Sequence, residues 1–479
     1  MPSEAHLSWR VRLAFAVGQL PEGIKSAAFG FLLLFYYNQV LGLSGTLSGT
    51  AVFIAVLFDA LSDPLVGSLS DTTRSRWGRR HPYMYAAALP FAASFYYLFA
   101  PPEGLSETGL FIWLTGFAVL TRTFLTFYSV PHMSLGAELS QDYDERTLLS
   151  SLRMGLQLVG MFAVLIGGPQ LYFHATAAYP NGQLNPAAYP EFATAAFFIM
   201  VLGIWLSALG THDQIRHLPA AAQTVRFSLL RVLGEMRDAF RMGSFIAVVS
   251  SSIAAGMNQG MVQALILYTG TYFFELSPGQ ITILFGVSAA GVGAGTTLAR
   301  PLSNIIREKK HLYMIGHAWY AVFTTWVIIL RLLEVLPPNE DPIVAVLYLT
   351  SSAISGVGLG LAIPMGGSMM ADLTDEHERI HGQRQEGIYY AAASFAGKAV
   401  GGSGTILAGL VIDLAGIPAG ADPATVDPQA VVRFGWALGP SVLLMTAISL
   451  GCIYFYRISR ATHSEILREL AVRRRERSI

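Results

Sequence analysis

Twelve apolar stretches, each about 19 residues or longer, follow one another along the 479-residue chain, and a helix of that length crosses a hydrocarbon layer of roughly 30 Å. They centre near Phe29, Ile54, Ala92, Val119, Val159, Ile199, Val249, Gly286, Phe323, Ile354, Gly402 and Met445. A segment in lipid must meet all its backbone hydrogen bonds internally. The expected fold is therefore an all-α integral membrane protein of 12 transmembrane helices. Composition agrees, because 53% of the residues are hydrophobic and 13% charged, against about 25% charged in soluble domains. A formal net charge of zero argues against a nucleic-acid partner. Cys452 is the single cysteine, which excludes an intrachain disulfide. The opening MPSEAHLSWRVR lacks the apolar core and cleavage site of a signal peptide, so the first helix is expected to act as the insertion signal.

The connections alternate in charge. Residues 74–82, 140–149, 212–242, 306–311 and 374–386 all contain Lys or Arg, whereas 101–108, 173–191, 272–279, 335–342 and 416–430 contain none. The positive-inside rule then places both termini and the basic connections in the cytoplasm of an inner (plasma) membrane, with the tail AVRRRERSI as a further anchor. Twelve spans with both ends inside is foremost a transporter topology.

An internal repeat divides the chain. PHMSLGAELSQDYDER from Pro131 matches PMGGSMMADLTDEHER from Pro364, with Asp142/Asp375, Glu145/Glu378 and Arg146/Arg379 at an offset of 233. DPLVGS at Asp63 and RPLSNI at Arg300 agree at 237. Two pseudo-symmetric six-helix bundles are expected, at 1–211 and 243–479, joined by a cytoplasmic linker at 212–242. Parallel repeats of this kind hold their cargo between the halves near the midplane.

Asp59 and Asp63 lie inside the apolar stretch from Leu43 to Leu69. Counted inward from Asp71 they sit roughly 18 Å and 12 Å deep, on one helix face. A lone carboxylate there costs about 2.5–3.5 kcal/mol, and a second like charge one turn away adds to the cost of ionising both. A bound Na+ or a proton removes both penalties, and neutralising either acid is expected to leave the fold intact. The bland alternative treats Asp63, just before Pro64, as a helix-end residue facing water; it leaves Asp59 unexplained.

Other polar residues fall in apolar surroundings: Arg122, Thr126 and Ser129 in the fourth stretch, Arg153 and Gln157 in the fifth, Asn258, Gln259 and Gln263 in the seventh, and Lys398 in the eleventh. Lys398 is about 18 Å beyond Glu386, and its Gly and Ser neighbours let another helix approach closely. Lys398 facing the two acids, or forming a local ion pair, are both open; Arg122 is expected to be structural, paired or bonded to carbonyls, and the amides of the seventh helix serve equally as interhelical glue. His377, Glu378 and His381 spell H-E-x-x-H, a zinc-protease signature. The match falls in an expected cytoplasmic loop, and its repeat partner YDERT has no histidine, so a membrane zinc hydrolase is a remote alternative. No catalytic residue, cofactor or structural metal is expected. The loop charges Arg76, Arg79, Glu145, Arg146, Glu378 and Arg379 are instead expected to form a gate.

FDALSDPLVGSLSDTTRSRWGRRHPYM, VPHMSLGAELSQDYDERT and the Lys398 stretch together resemble the glycoside-pentoside-hexuronide:cation symporters, the melibiose permease group of the major facilitator superfamily. The resemblance covers nearly the whole chain. It implies cation-coupled symport of a sugar or glycoside by alternating access, with Asp59 and Asp63 holding Na+, Li+ or H+ and with Ser62 and Thr126 as further cation-site residues. It also implies that Arg153 contacts sugar hydroxyls and that Lys398 lies near the cation site. Ser129 stands where that group has a sugar-binding acid and Met133 where it has an aromatic platform. Glu22, with Lys25 close on the same face, is the nearest match to an acidic substrate residue in the first helix; an intrahelical ion pair is the alternative. Substrate contacts are therefore expected from Glu22, Ser129, Arg153, Gln157 and Lys398. Related animal carriers move lysolipids, so a lipid-like or other amphipathic solute is the alternative cargo. The expected partners are a small solute, the coupling Na+ or H+, and membrane lipids.

Overall fold

The structure is a computed structural model and describes residues 7–218, 242–381, 397, 402–421, 423 and 425–477. Lys398 and most of the linker lie outside the described residues. Within them the chain is helical and without a strand. It divides into two compact units, Met1–Phe227 with Pro418–Ala421, and Ser228–Ile417 with Asp422–Ile479.

In the first unit the chain runs through α1 (Trp9–Val17), α2 (Leu20–Ala27), α3 (Gly45–Thr72), α4 (His81–Phe99), α5 (Glu107–Leu139), α6 (Tyr143–Phe162) and α7 (Ala188–Gly210). The second contains α8 (Gly243–Tyr268), α9 (Pro278–Ile306), α10 (Lys309–Leu332), α11 (Pro342–His381), α12 (Gly404–Ala415), α13 (Pro428–Tyr454) and α14 (Arg460–Arg477). Nine helices among the described residues are long and apolar enough to cross a membrane. Three expected spans are not among them, for separate reasons. The first is broken after Val17 and continues through π-helical turns at Ala28–Leu32 and Tyr36–Val40; Gly18 and Pro21 stand at the break. In the third, α4, two prolines and Tyr83, Tyr85, Tyr96 and Tyr97 lower the apolarity of a 19-residue helix. The eleventh lies partly outside the described residues.

Two expected loops are shorter than their charge suggests. Helix α11 runs for 40 residues, to His381, about 60 Å at 1.5 Å per residue and twice the hydrocarbon thickness. It stays helical past the apolar stretch because Met369, Met370 and Leu373 pack against Tyr456, Ile458, Ile466 and Leu470. His377, Glu378 and His381 therefore belong to a helix end and not to the loop expected at 374–386. Likewise the 140–149 connection is non-helical only over Ser140–Asp142, where Asp142 caps α6 by accepting from the Glu145 amide at 2.7 Å.

The same packing order recurs in both units. In the first, α5 packs on α3 and α4, α7 on α4 and α1, and α6 on α2; in the second, α11 packs on α9 and α10, α13 on α10 and α8, and α12 on α8. Close approach at these contacts depends on glycine. A Cβ at Gly23 would lie 2.0 Å from the Gln157 carbonyl and one at Gly160 2.3 Å from that of Leu20, fixing α2 against α6. Between α9 and α11, a Cβ at Gly295 would meet the Val357 carbonyl at 2.1 Å and one at Gly360 that of Val292 at 2.1 Å. In lipid, where no hydrophobic force presses helices together, such backbone contact supplies much of the association. Gly360→Val is accordingly expected to cost about 1–3 kcal/mol by overpacking, visible as a lower thermal midpoint in detergent; a midpoint equal to that of the parent protein would show that α9 and α11 do not touch here.

Candidate functional site

Helix α3 stays helical through Pro64 and ends only at Thr72, so Asp63 is an interior residue and the helix-end alternative fails. Proline removes one backbone donor from the ladder, and one turn earlier the Ser62 hydroxyl donates to the Asp59 carbonyl at 3.2 Å. Ser62, expected at the cation site, thus has its hydroxyl turned to its own backbone.

Opposite the two acids, α5 presents Arg122 and Thr126, also one turn apart. Arg122 Nη2 lies 2.7 Å from Asp59 Oδ2, and the two side chains are 13% and 12% exposed. The Thr126 hydroxyl is 2.9 Å from Asp59 Oδ1 and 3.0 Å from Asp63 Oδ1. Arg122 is paired, and its partner is Asp59. Asp59→Asn would remove the carboxylate oxygen that Arg122 pairs with, which Asp63→Asn would not. Phe29 lies below the pair, with Arg122 Cζ and Lys25 Nζ each 5.9 Å from its ring centroid, within the range of cation–π attraction.

Of the expected solute residues, Glu22, Ser129, Arg153 and Gln157 occupy the same unit, and Lys398 lies outside the described residues. Arg153 and Gln157 on α6 and Ser129 on α5 are half-buried. Met133, a turn beyond Ser129, is 53% exposed. Glu22 on α2 accepts a hydrogen bond from Gln19. In the second unit, Asn258 donates to Thr446 at 2.9 Å and to the Val442 carbonyl at 3.4 Å, tying α8 to α13 as the glue reading anticipates.

Charged clusters gather at one helix end of each unit. Arg79 and Arg80 both pair with Glu138 of α5, at 3.0 and 2.9 Å, and Arg80 also binds Asp71 and the Ser70 hydroxyl. Arg12 forms a bidentate pair with Glu145 at 2.7 Å on both arms. Arg146 donates to the carbonyls of Ser140 and Ala137; Arg76 lies beside Trp77. The Arg379 carbonyl accepts from Arg473 at 2.6 Å. In the second unit Lys309 reaches both oxygens of buried Asp372 at 2.7 Å. His463 of α14 lies 3.4 Å from Asp372 and 3.1 Å from Asp375. Burial and the neighbouring Asp372 push the Tyr456 hydroxyl far above its usual range, which keeps it a donor to Asp372 at 3.4 Å. Arg12, Arg80, Glu138, Lys309, Asp372 and His463 were not singled out by sequence. A buried basic and acidic pair at two helix ends carries no local signal until the helices are packed.

A model of the MFS/sugar transport protein family matches residues 14–460. The chain belongs to that family. It is 26% identical to an uncharacterized symporter of Synechocystis, over 100% of this chain and 99% of that one. It is 23% identical to a glucuronide carrier protein homolog of Escherichia coli, over 98% and 97%. The crystal structure of a D-xylose-proton symporter superimposes with a TM-score of 0.60 at 15% identity, covering 95% of this chain and 98% of the other, which establishes the shared fold. The family is one of transporters and not of enzymes, which leaves no role for H-E-x-x-H chemistry at His377, Glu378 and His381.

Asp372 ties α10, α14 and Tyr456 to the end of α11. Asp372→Asn is expected to lose about 1–3 kcal/mol through the stranded partners and to release the tail. Limited trypsin digestion should cut at Arg457 and Arg460 sooner than in the parent protein, and an unchanged cleavage rate would mean that α14 is held by its apolar face alone.

Proposed function

We propose that the protein is a secondary active symporter of the inner (plasma) membrane that carries a sugar or glycoside together with Na+ or H+. The observation that carries this reading is the convergence of Asp59, Asp63 and Thr126 at 2.9 and 3.0 Å inside an apolar helix pair. Two acids at bilayer depth mark an ion pathway by default, and the names of the Synechocystis symporter and the Escherichia coli glucuronide carrier homolog support coupling and a sugar-like cargo. The recurring packing order supports 12 spans in two pseudo-symmetric bundles, 1–211 and 243–479, and the Lys and Arg of the connections support 212–242 and both termini as cytoplasmic.

Transport then follows from charge. Two carboxylates in lipid favour the ion-loaded form, so ion binding prepares the carrier to take its solute and rock between its outward and inward states. Arg153, with five donors in a fixed fork, reads vicinal hydroxyls or an anionic group of the solute, assisted by Gln157, Ser129 and Glu22. Lys398 is assigned to the same region by resemblance alone. Arg76, Arg79, Glu145, Arg146, Glu378 and Arg379 form the gate charges.

Asp63→Asn is the clean test of coupling, since it leaves the Arg122 pair with Asp59 untouched. Ion-driven accumulation in proteoliposomes should disappear while the protein remains folded; accumulation that survives would remove Asp63 from the ion site.

For the solute, Arg153→Lys keeps the charge and loses the fork. Solute affinity is expected to fall by roughly tenfold or more, the ~1.5–3 kcal/mol of a charged hydrogen bond, while ion binding without solute stays unchanged. Equal solute affinity in the two proteins would take Arg153 out of the cargo site.

A further inference from the structure

A cavity of about 320 Å3 opens in the second unit where α9 ends and where α10 and α14 begin. Its size is at the lower end of the ~300–1,000 Å3 typical of small-molecule sites, and none of Asp59, Asp63 and Arg153 lines it. The acids in its wall are already engaged. Asp372 accepts from Lys309 at 2.7 Å on both oxygens and lies 3.4 Å from the Tyr456 hydroxyl and from His463. Glu308 accepts the backbone amide of Arg460 at 3.3 and 3.4 Å.

The guanidiniums in the same wall are not engaged. Arg307, just past α9, and Arg460, at the start of α14, both line the cavity, and neither side chain has a hydrogen bond or ion pair among the described residues; nor has the Asn304 amide. Each guanidinium carries several N–H donors in a fixed fork, so the cavity holds more donors than its own acceptors can serve. An anion with several oxygens answers that surplus. The backbone adds to the argument. Arg307 closes α9 in the left-handed conformation, at φ 58°, with its amide on the Ser303 carbonyl. Glycine or asparagine is the usual residue there, and keeping a side chain with a Cβ costs strain that is stored most often at functional positions. Ile305, Tyr454 and Phe455 stand exposed at the same helix ends, as aromatic residues do at a membrane–water boundary.

We propose that Arg307 and Arg460 form a binding site for a phosphate ester, whose oxygens the two forks share and which thereby ties the end of α9 to the start of α14. Asn304 is the third donor. Two sources offer this chemistry, the head group of an anionic phospholipid and a soluble organic phosphate. Basic pockets between membrane helices take lipid phosphates, and the exposed Ile305, Tyr454 and Phe455 give acyl chains an apolar surface to lie on. The site does not depend on where the coupling ion binds.

The test is isothermal titration of the delipidated full-length protein in detergent with two probes, dihexanoyl-phosphatidylglycerol and glycerol 3-phosphate. Saturable binding of at least one below about 1 mM is expected, and the tighter probe names the source. Arg307→Asn, which suits the left-handed backbone, and Arg460→Gln should each weaken binding about tenfold or more, as loss of a charged hydrogen bond requires. Arg468→Gln removes an exposed cation of α14 that lies outside the cavity and should leave binding unchanged. All three substituted residues are exposed, so the variants are expected to fold as the parent does, which their ligand-free thermal midpoints check. The bound probe should raise the midpoint of the parent protein and not that of the Arg307→Asn, Arg460→Gln double variant. No saturable binding of either probe overturns the proposal, and so does unchanged affinity in either cavity variant. Equal weakening in Arg468→Gln overturns it too, by showing a diffuse attraction of the basic helix for any anion.

Discussion

A carboxylate buried in hydrocarbon must find a partner inside the protein, and the pairing of Asp59 with Arg122 fixes how α3 and α5 lie together. Acids four residues apart on α3 meet a guanidinium and a hydroxyl four residues apart on α5, which sets the axial register of the pair. Twelve residues further on, about 18 Å along each helix, the same two helices end at Asp71 and Glu138, and Arg80 binds both. Equal spacing along both helices requires that α3 and α5 run in the same direction. The Asp59–Asp63 site and the Arg80 cluster are thus two ends of a single helix contact.

The rest of each unit is held by shape. Backbone contacts such as Gly295 against Val357 and Gly23 against Gln157 involve no charge and define the helix separation. Polar pairs such as Asn258 with Thr446 then select the rotation about each axis. Small residues decide how close the helices come, and hydrogen bonds decide which faces meet.

Much of this was legible before any coordinates. That Asp59 and Asp63 lie one turn apart inside an apolar helix was readable from the residues, and Thr126 was placed beside them by resemblance. The identity of Arg122's partner was not legible, because carbonyl and carboxylate satisfy a guanidinium equally until the register of α3 against α5 is known. Charge also misled where it was taken for a loop. Asp375, Glu376, Glu378 and Arg379 look like a connection, yet they extend α11, since Leu373 and its neighbours keep one face of the helix on the core.

The sequence match at an offset of 233 pairs residues with different tasks. The offset of 233 aligns Asp142 with Asp375, but Asp142 caps α6 and Asp375 lies inside a helix facing His463. The residues that share a task are Glu138 and Asp372. Glu138 stands near the end of α5 and Asp372 late in α11, and each binds a cation at the start of the preceding helix, Arg80 just before α4 and Lys309 on α10. Glu138 follows Pro131 by seven residues and Asp372 follows Pro364 by eight. One residue turns a side chain by about 100° around a helix of 3.6 residues per turn. A single slip of that size moves the acid to a different face, and Lys309, placed at the first turn of α10 instead of before it like Arg80, meets it there. The two units share the tie between these helices without sharing the register position of its acid.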